Sequence, residues 1–101
     1  MTTKAILLTK SDDQFAARVA ELSDEELRAA TPGADVTVAV DYSTVNYKDA
    51  LALANKGPVV RRWPMVAGID AAGSVLESAD PRFAPGDRVV LNGWGVGEQH
   101  W

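Results

Sequence analysis

The run Asn46-Tyr47-Lys48-Asp49 places an amide, a phenol, an amine and a carboxylate side by side. Asn46 is a residue type that caps helices, and Asp49 would lie in the first turn, where the helix dipole favours an anion. Capping accounts for those two residues without any further function. It does not account for Tyr47, whose phenol can donate a hydrogen bond to a ligand and whose ring can stack on one. The run therefore predicts a helix start that carries Tyr47 as a candidate functional residue.

A second candidate is the positive cluster of Lys56, Arg61 and Arg62, in a chain whose formal net charge is -4. Guanidinium groups bind phosphates through two parallel hydrogen bonds, so such a cluster can receive the anionic groups of a ligand. The alternative interpretation is a solvated loop with no ligand. The sequence by itself leaves both interpretations open.

The run 93–97 reads Gly-Trp-Gly-Val-Gly and suggests a dinucleotide-binding loop, which requires the spacing G-x-G-x-x-G before a helix. The third glycine is missing, because the last position of the motif is occupied by Glu98 or by His100, depending on the starting glycine. A carboxylate at that position would also repel phosphate. The spacing favours a glycine-rich turn that allows Trp94 and Trp101 to pack.

Asp70 lies in the apolar run 68–73, which reads Gly-Ile-Asp-Ala-Ala-Gly. A carboxylate in apolar surroundings needs either a hydrogen-bond partner or a functional role, because losing its hydration is costly. A backbone N–H group would be a sufficient partner. We therefore expect Asp70 to be hydrogen bonded inside the fold.

Composition excludes several classes of function. The 101 residues include no Cys and a single His, His100, so a disulfide framework, a thiolate metal site, a Cys nucleophile and a paired-His metal site are excluded. The acidic balance gives no general affinity for nucleic acid or for an anionic membrane. The apolar run 5–8 is too short for a signal peptide or a membrane span. These features predict a cytoplasmic protein with no metal, nucleic-acid or membrane partner.

The candidate residues must be positioned by short strands and turns. Apolar or alternating patterns predict strands at 4–10, 14–22, 35–43, 70–77 and 88–91. A capping box that starts at Ser23 predicts a short helix ended by the run 31–33, and a second helix is expected over 46–54, closed by Gly57-Pro58. The loop 63–68 should be well packed, and Gly73 should mark a bulge or a close approach. Four residues with a period of two should share one face of strand 35–43: Val36, Val38, Val40 and Tyr42.

The run 93–101 contains two Trp and three Gly residues, whereas domains usually end in polar, loosely held segments. This composition predicts that the chain is a piece of a longer protein, cut inside a structured loop. We then expect unpaired strand edges and exposed apolar faces.

Four segments together resemble the N-terminal part of the medium-chain dehydrogenase/reductase superfamily: 35–40, 46–49, 64–73 and 85–89. Within it, the chain is most similar to the zinc-free quinone oxidoreductase-like branch, and in particular to the bacterial NADPH-dependent acrylyl-CoA reductases. The run 46–49, the run 80–83 and the Gly-Trp-rich run 93–101 carry that closer resemblance. It covers nearly the whole chain and is specific in combination, although each segment alone is weak.

The resemblance implies a mainly β fold with one or two short helices. Residues 1–101 would be the N-terminal portion of a GroES-like, partly open β-barrel, with the Rossmann domain outside the chain. Where zinc-dependent relatives carry a Cys and a His-Glu pair, this chain has Tyr47 or Lys48 and Ile69-Asp70, so zinc independence is expected. The intact parent would be a homodimer. It would transfer hydride from NADPH to acryloyl-CoA and give propanoyl-CoA. The isolated chain is expected to be inactive.

The resemblance also implies roles for individual residues. Tyr47 and Asn46 match the family's NADP-contacting position, and Tyr47 is a hypothetical proton donor. Arg61 and Arg62 are hypothetical steering residues for the phosphates of CoA. Three alternatives remain: a reductase of quinones or other activated alkenes, a stand-alone GroES-like binding or assembly module, and a piece that folds only with a partner chain.

Overall fold

A computed structural model describes residues 2–101 as a mainly β chain with two short helices, as predicted. No helix within this range is long and apolar enough to cross a membrane. The elements in chain order are β1 (Thr2–Ser11), β2 (Gln14–Ser23), α1 (Asp24–Ala30), β3 (Val36–Ser43), α2 (Tyr47–Ala54), β4 (Met65–Val66), β5 (Asp70–Ser78) and β6 (Arg88–Asn92).

The first sheet has the strand order β2-β1-β4, with both pairs antiparallel. A tight turn joins β1 to β2, and Asp12 adopts a left-handed backbone with φ 54° in that turn. On β4, Met65 pairs with Leu8 of β1, and both side chains are completely buried. Ala52 of α2 packs into the same cluster, so α2 is anchored to this sheet. Burial of side chains of this size stabilises the fold by about 1.5–3 kcal/mol each.

The second sheet has the order β3-β5-β6, again antiparallel. Gly73 of β5 pairs with Val40 of β3, and a Cβ atom at this position would collide with the carbonyl oxygen of Ala39. The predicted close approach at Gly73 is confirmed. Within residues 2–101 the two sheets do not close into a barrel.

The predicted alternation along β3 is wrong beyond Val40. The register shifts between Val40 and Tyr42, which pair with the consecutive residues Gly73 and Ala72 of β5. Consecutive residues of a strand point to opposite faces, so the bulge separates Val40 from Tyr42. Both are exposed, Val40 by 59% and Tyr42 by 75%. The prediction of exposed apolar side chains is thus confirmed on this strand.

Both helices begin with the hydrogen bonds that their sequences predict. The capping box at Ser23 is present, and α1 ends before the predicted breaker run 31–33. Helix α2 ends at Ala54, as predicted, but its C-cap is Asn55, which adopts a left-handed backbone with φ 52°. Asparagine tolerates this conformation, so Asn55 and not Gly57-Pro58 terminates the helix.

Trp101 connects the two halves of the core. Its ring packs against the cluster around Leu8 and also against the cluster around Leu22. Its indole N–H donates to the carbonyl oxygen of Pro64 at 2.9 Å, so this partly buried side chain has a partner for its polar group. The segment 63–68 is therefore well packed, as predicted, but it is not a loop throughout, because Met65 and Val66 form β4.

Candidate functional site

The N-terminus of α2 is fixed by a reciprocal capping box. The Asn46 Oδ1 atom accepts hydrogen bonds from the N–H groups of Lys48 at 3.1 Å and Asp49 at 3.4 Å. In return, Asp49 Oδ2 accepts the Asn46 N–H at 2.8 Å. The Asp49 carboxylate is only 5% exposed, and both this bond and the helix dipole stabilise its charge. The capping interpretation of Asn46 and Asp49 is confirmed.

Asp70, at the start of β5, joins three segments of the chain. Its Oδ1 accepts the Gly93 N–H at 3.1 Å, just after β6, and the Ile69 carbonyl oxygen accepts the same N–H at 2.9 Å. Its Oδ2 lies 3.3 Å from the Thr44 hydroxyl and 3.4 Å from the amide nitrogen of Asn46. The predicted backbone partner is confirmed. The two side-chain partners add a link between the α2 N-terminus and the turn after β6.

Tyr47 is the first residue of α2 and follows the cap directly. Its side chain is 79% exposed, so the phenol is free to meet a molecule outside this chain. The cap on its N-terminal side and the buried Ala52 on its C-terminal side fix the backbone from which it projects. The arrangement presents a hydrogen-bond donor and an aromatic ring from a rigid helix start.

Lys48 forms an ion pair with Glu98, a contact that the sequence did not reveal. The carbonyl oxygen of Glu98 also accepts the Arg61 N–H at 2.7 Å. Glu98 therefore ties α2 and the 61–62 segment to the glycine-rich turn. Residues 48 and 98 are too far apart in the chain for any local spacing rule to pair them.

The glycine-rich run is a turn and not a phosphate loop. All three glycines of 93–97 have positive φ, and a Cβ atom on Gly97 would collide with the Gly68 carbonyl oxygen. Trp101 packs as predicted, but the prediction that Trp94 packs is wrong, since its side chain is 84% exposed. The backbone of Trp94 is also left-handed, with φ 59°.

The positive cluster is divided among different contacts. The Arg62 guanidinium donates from Nη2 to the carbonyl oxygen of Ala30 at 2.6 Å, at the C-terminal end of α1. Arg61 contributes its backbone N–H to Glu98, and its side chain is exposed. The Lys56 N–H donates to the Leu51 carbonyl oxygen as α2 ends. Steering by Arg61 or Arg62 stays a prediction.

In residues 2–101, no three side chains of the metal-ligating types come together as a group able to hold a metal ion.

The 80–83 turn contains a carboxylate with a shifted pKa. Hydrogen bonds from the Arg82 side chain, and to a smaller extent from the Arg82 N–H, lower the pKa of Asp80 from 3.8 to about 2. Asp80 is therefore a structural carboxylate of the turn.

Comparison with known proteins identifies the domain to which these elements belong. Residues 32–100 match the model of the alcohol dehydrogenase GroES-like domain. The chain belongs to this family. The match contains α2, the Asp70 partners and the glycine-rich turn, so the whole site lies within the GroES-like domain.

Individual relatives are longer than this chain. It is 50% identical over 98 residues to the Escherichia coli (strain K12) protein named "Probable acrylyl-CoA reductase AcuI", covering 97% of this chain and 29% of that one. It is 42% identical over 94 residues to the Bacillus subtilis (strain 168) "Putative quinone oxidoreductase YhfP", covering 93% and 27%. The crystal structure of the yhdH oxidoreductase from Salmonella enterica in complex with NADP superposes with a TM-score of 0.88 at 48% identity, covering 98% and 29%. The chain thus spans under a third of these relatives.

Proposed function

We propose that residues 1–101 are the N-terminal portion of the GroES-like catalytic domain of a longer NADPH-dependent reductase. The intact enzyme reduces the carbon–carbon double bond of acryloyl-CoA and forms propanoyl-CoA. A nucleotide-binding Rossmann domain lies outside this chain. We further propose that the enzyme is a cytoplasmic homodimer, independent of zinc; the lack of Cys and the single His in the sequence support zinc independence.

The observation that carries the proposal is the exposed Tyr47 at the rigid start of α2, in a chain half identical to an acrylyl-CoA reductase. The solved relatives include oxidoreductases with NADP and with NADPH bound. A phenol and an aromatic ring that face outward from a fixed backbone suit a bound nicotinamide and the substrate beside it. We therefore assign Tyr47 and its neighbour Asn46 to the cofactor-binding surface.

When bound, NADPH supplies the hydride that reaches the β-carbon of the acryloyl group. The Tyr47 hydroxyl then gives its proton to the α-carbon, so one hydride and one proton saturate the double bond. Asn46 positions Tyr47, because its capping bond and its contact with Asp70 fix the backbone at the start of α2. Tyr47 regains its proton from water before the next turnover.

The charged side chains of the 61–62 segment are proposed to steer the CoA phosphates. Arg61 is the stronger candidate, because its side chain is exposed while Arg62 already donates to Ala30. Arg62 would bind the CoA phosphates through the guanidinium N–H groups that do not donate to Ala30. A KM for acryloyl-CoA that rises with salt in the wild type and is raised in Arg61→Ala supports steering, and a KM insensitive to both contradicts it.

The test of the catalytic assignment compares the two tyrosines of the chain in the intact protein. Tyr47→Phe removes the proposed proton donor, and we expect kcat for acryloyl-CoA to fall about 100-fold, the lower range for one general acid. Tyr42→Phe is the matched control, because Tyr42 is equally exposed but lies on β3. An unchanged kcat in Tyr47→Phe would remove the proton-donor role.

The second candidate function is reduction of quinones or other activated alkenes, favoured by the 42% identity to the YhfP relative. The values of kcat/KM for acryloyl-CoA and 1,4-benzoquinone, measured on the same intact protein with NADPH, separate the two. A larger value for acryloyl-CoA supports the proposal. Reduction of neither compound would favour a non-catalytic GroES-like module.

A further inference from the structure

Trp94 combines an exposed side chain with an unfavourable backbone. Its ring is 84% exposed, and its φ of 59° lies in the left-handed region that bulky residues avoid. The adjacent Gly93 and Gly95 adopt the same region without steric cost. A tryptophan between them is destabilising for the backbone and gains little burial to offset it. The contacts within residues 2–101 therefore give no reason for an indole at this position.

The position of Trp94 relates it to Tyr47. Trp94 follows Gly93, whose N–H donates to one oxygen of Asp70. Tyr47 follows Asn46, whose amide lies against the other oxygen of the same carboxylate. Each exposed aromatic residue is thus one position away from a group held by Asp70. The Asp70 carboxylate therefore links the two backbone segments that carry these exposed aromatic residues.

We propose that Trp94 determines substrate specificity, with its indole packing against the planar, uncharged conjugated group of the alkene substrate. This inference rests on the reductase function proposed above and adds a substrate contact to it. Backbone strain held at an exposed side chain is a recognised mark of a functional position. The Asp70 carboxylate lies beside the start of the turn, so a neutral planar group suits this surface better than a phosphate does.

The decisive variant is Trp94→Gly in the intact protein. It removes the ring and relieves the left-handed backbone, so we expect a higher melting temperature together with a KM for acryloyl-CoA raised about tenfold, as for loss of one aromatic contact. The values of kcat and of KM for NADPH should change less than about twofold, since the ring contacts only the substrate. Asp12→Gly is the matched control, because it relieves a similar backbone in the β1–β2 turn and should leave every KM unchanged.

A second measurement does not depend on turnover. Titration with propanoyl-CoA, the saturated product, should change the tryptophan emission of the wild type but not of Trp94→Phe. An equal change in both proteins would overturn the proposal. So would a Trp94→Gly variant with an unchanged KM for the alkene, or one with a rise confined to NADPH.

The failure of this inference and that of the proposed function remain distinguishable. If the wild type reduces no acryloyl-CoA, the acryloyl-CoA assignment has failed. The Trp94 variants are then compared with 1,4-benzoquinone as the conjugated substrate, where a raised KM in Trp94→Gly still supports the contact. An unchanged KM for the quinone would overturn it.

Discussion

The two helices of this chain begin with the same local motif but use it differently. At α1, the Ser23 hydroxyl accepts the Glu26 N–H at 3.1 Å and the Glu26 carboxylate accepts the Ser23 N–H at 3.3 Å, both at an exposed position. At α2, Asn46 and Asp49 make the equivalent pair of bonds, and Asp49 is buried. The bonds of the first cap lie within α1 and its N-cap, whereas the second cap is also linked to Asp70 of β5.

The chemical difference lies in the capping side chain. A serine hydroxyl has one donor, while the Asn46 amide keeps its NH₂ group available after its oxygen has capped the helix. That group lies 3.4 Å from Asp70, which also binds Gly93 after β6. A cap with an additional donor can therefore fix a helix start relative to distant segments. We infer that this is why the exposed Tyr47 follows an asparagine.

The largest expected effect comes from breaking the second cap. Asn46→Ala removes the capping oxygen and the donor to Asp70, so the free energy of unfolding should fall by about 2–3 kcal/mol. Asn46→Ser keeps a capping oxygen and loses only the long-range contact, so a loss of about 1 kcal/mol is expected. Urea denaturation of the intact protein measures both. Equal stability in the wild type and Asn46→Ser would show that the contact to Asp70 does not contribute to the free energy of unfolding.

Breaking the first cap should cost less and leave activity untouched. Ser23→Ala removes one exposed capping bond, worth about 1 kcal/mol of unfolding free energy. The kcat/KM for acryloyl-CoA should stay at the wild-type value, because the Ser23 and Glu26 bonds of this cap lie within the start of α1. A loss of activity comparable to that of Asn46→Ala would abolish the distinction between the two helices.

The ion pairs of the helices sharpen the same comparison. Lys48 of α2 pairs with Glu98, whose side chain is largely buried, whereas Arg28 of α1 lies 3.9 Å from Glu77 with both side chains exposed. Double-mutant cycles with glutamine should give a coupling of about 0.5–1 kcal/mol for the first pair and about zero for the second. The first coupling should weaken as salt is added. Equal coupling energies for the two pairs would contradict the view that the Lys48–Glu98 pair fixes α2 to the glycine-rich turn.

The smallest effect concerns acid stability and lies outside both helices, in the 80–83 turn. The Arg82 side chain lowers the pKa of Asp80 from 3.8 to about 2, so the carboxylate stabilises the fold above pH 3.8 and loses that contribution as pH falls toward 2. Arg82→Gln should return the pKa of Asp80 toward 3.8 and remove this part of the acid dependence. Titration of the Asp80 carboxyl by NMR checks the value. An unmoved pKa in the variant would show that Arg82 is not its cause.

Local features of this fold could be predicted from the sequence, and long-range ones could not. The capping residues Ser23 and Asn46 follow short-range rules, and the predicted strands appear close to their expected positions. The face predicted for Tyr42 was wrong, because the bulge in β3 depends on how β3 pairs with β5. The partners of Asp70 and of Lys48 depend on segments brought together only by folding. Residue type alone would suggest neither the left-handed backbone of Trp94 nor the exposure of its side chain.

Gly73 has a consequence for how the molecule would respond to mutation. The absence of a side chain lets β3 and β5 approach at Ala39, and Asp70 begins the same strand three residues earlier. Any larger residue would push the two strands apart and displace the carboxylate that holds Asn46 and Gly93. In a saturation screen scored by activity, Gly73 would behave like a member of the active site although it has no group that could touch a substrate. Intolerance to substitution would therefore map the geometry of this domain as well as its chemistry.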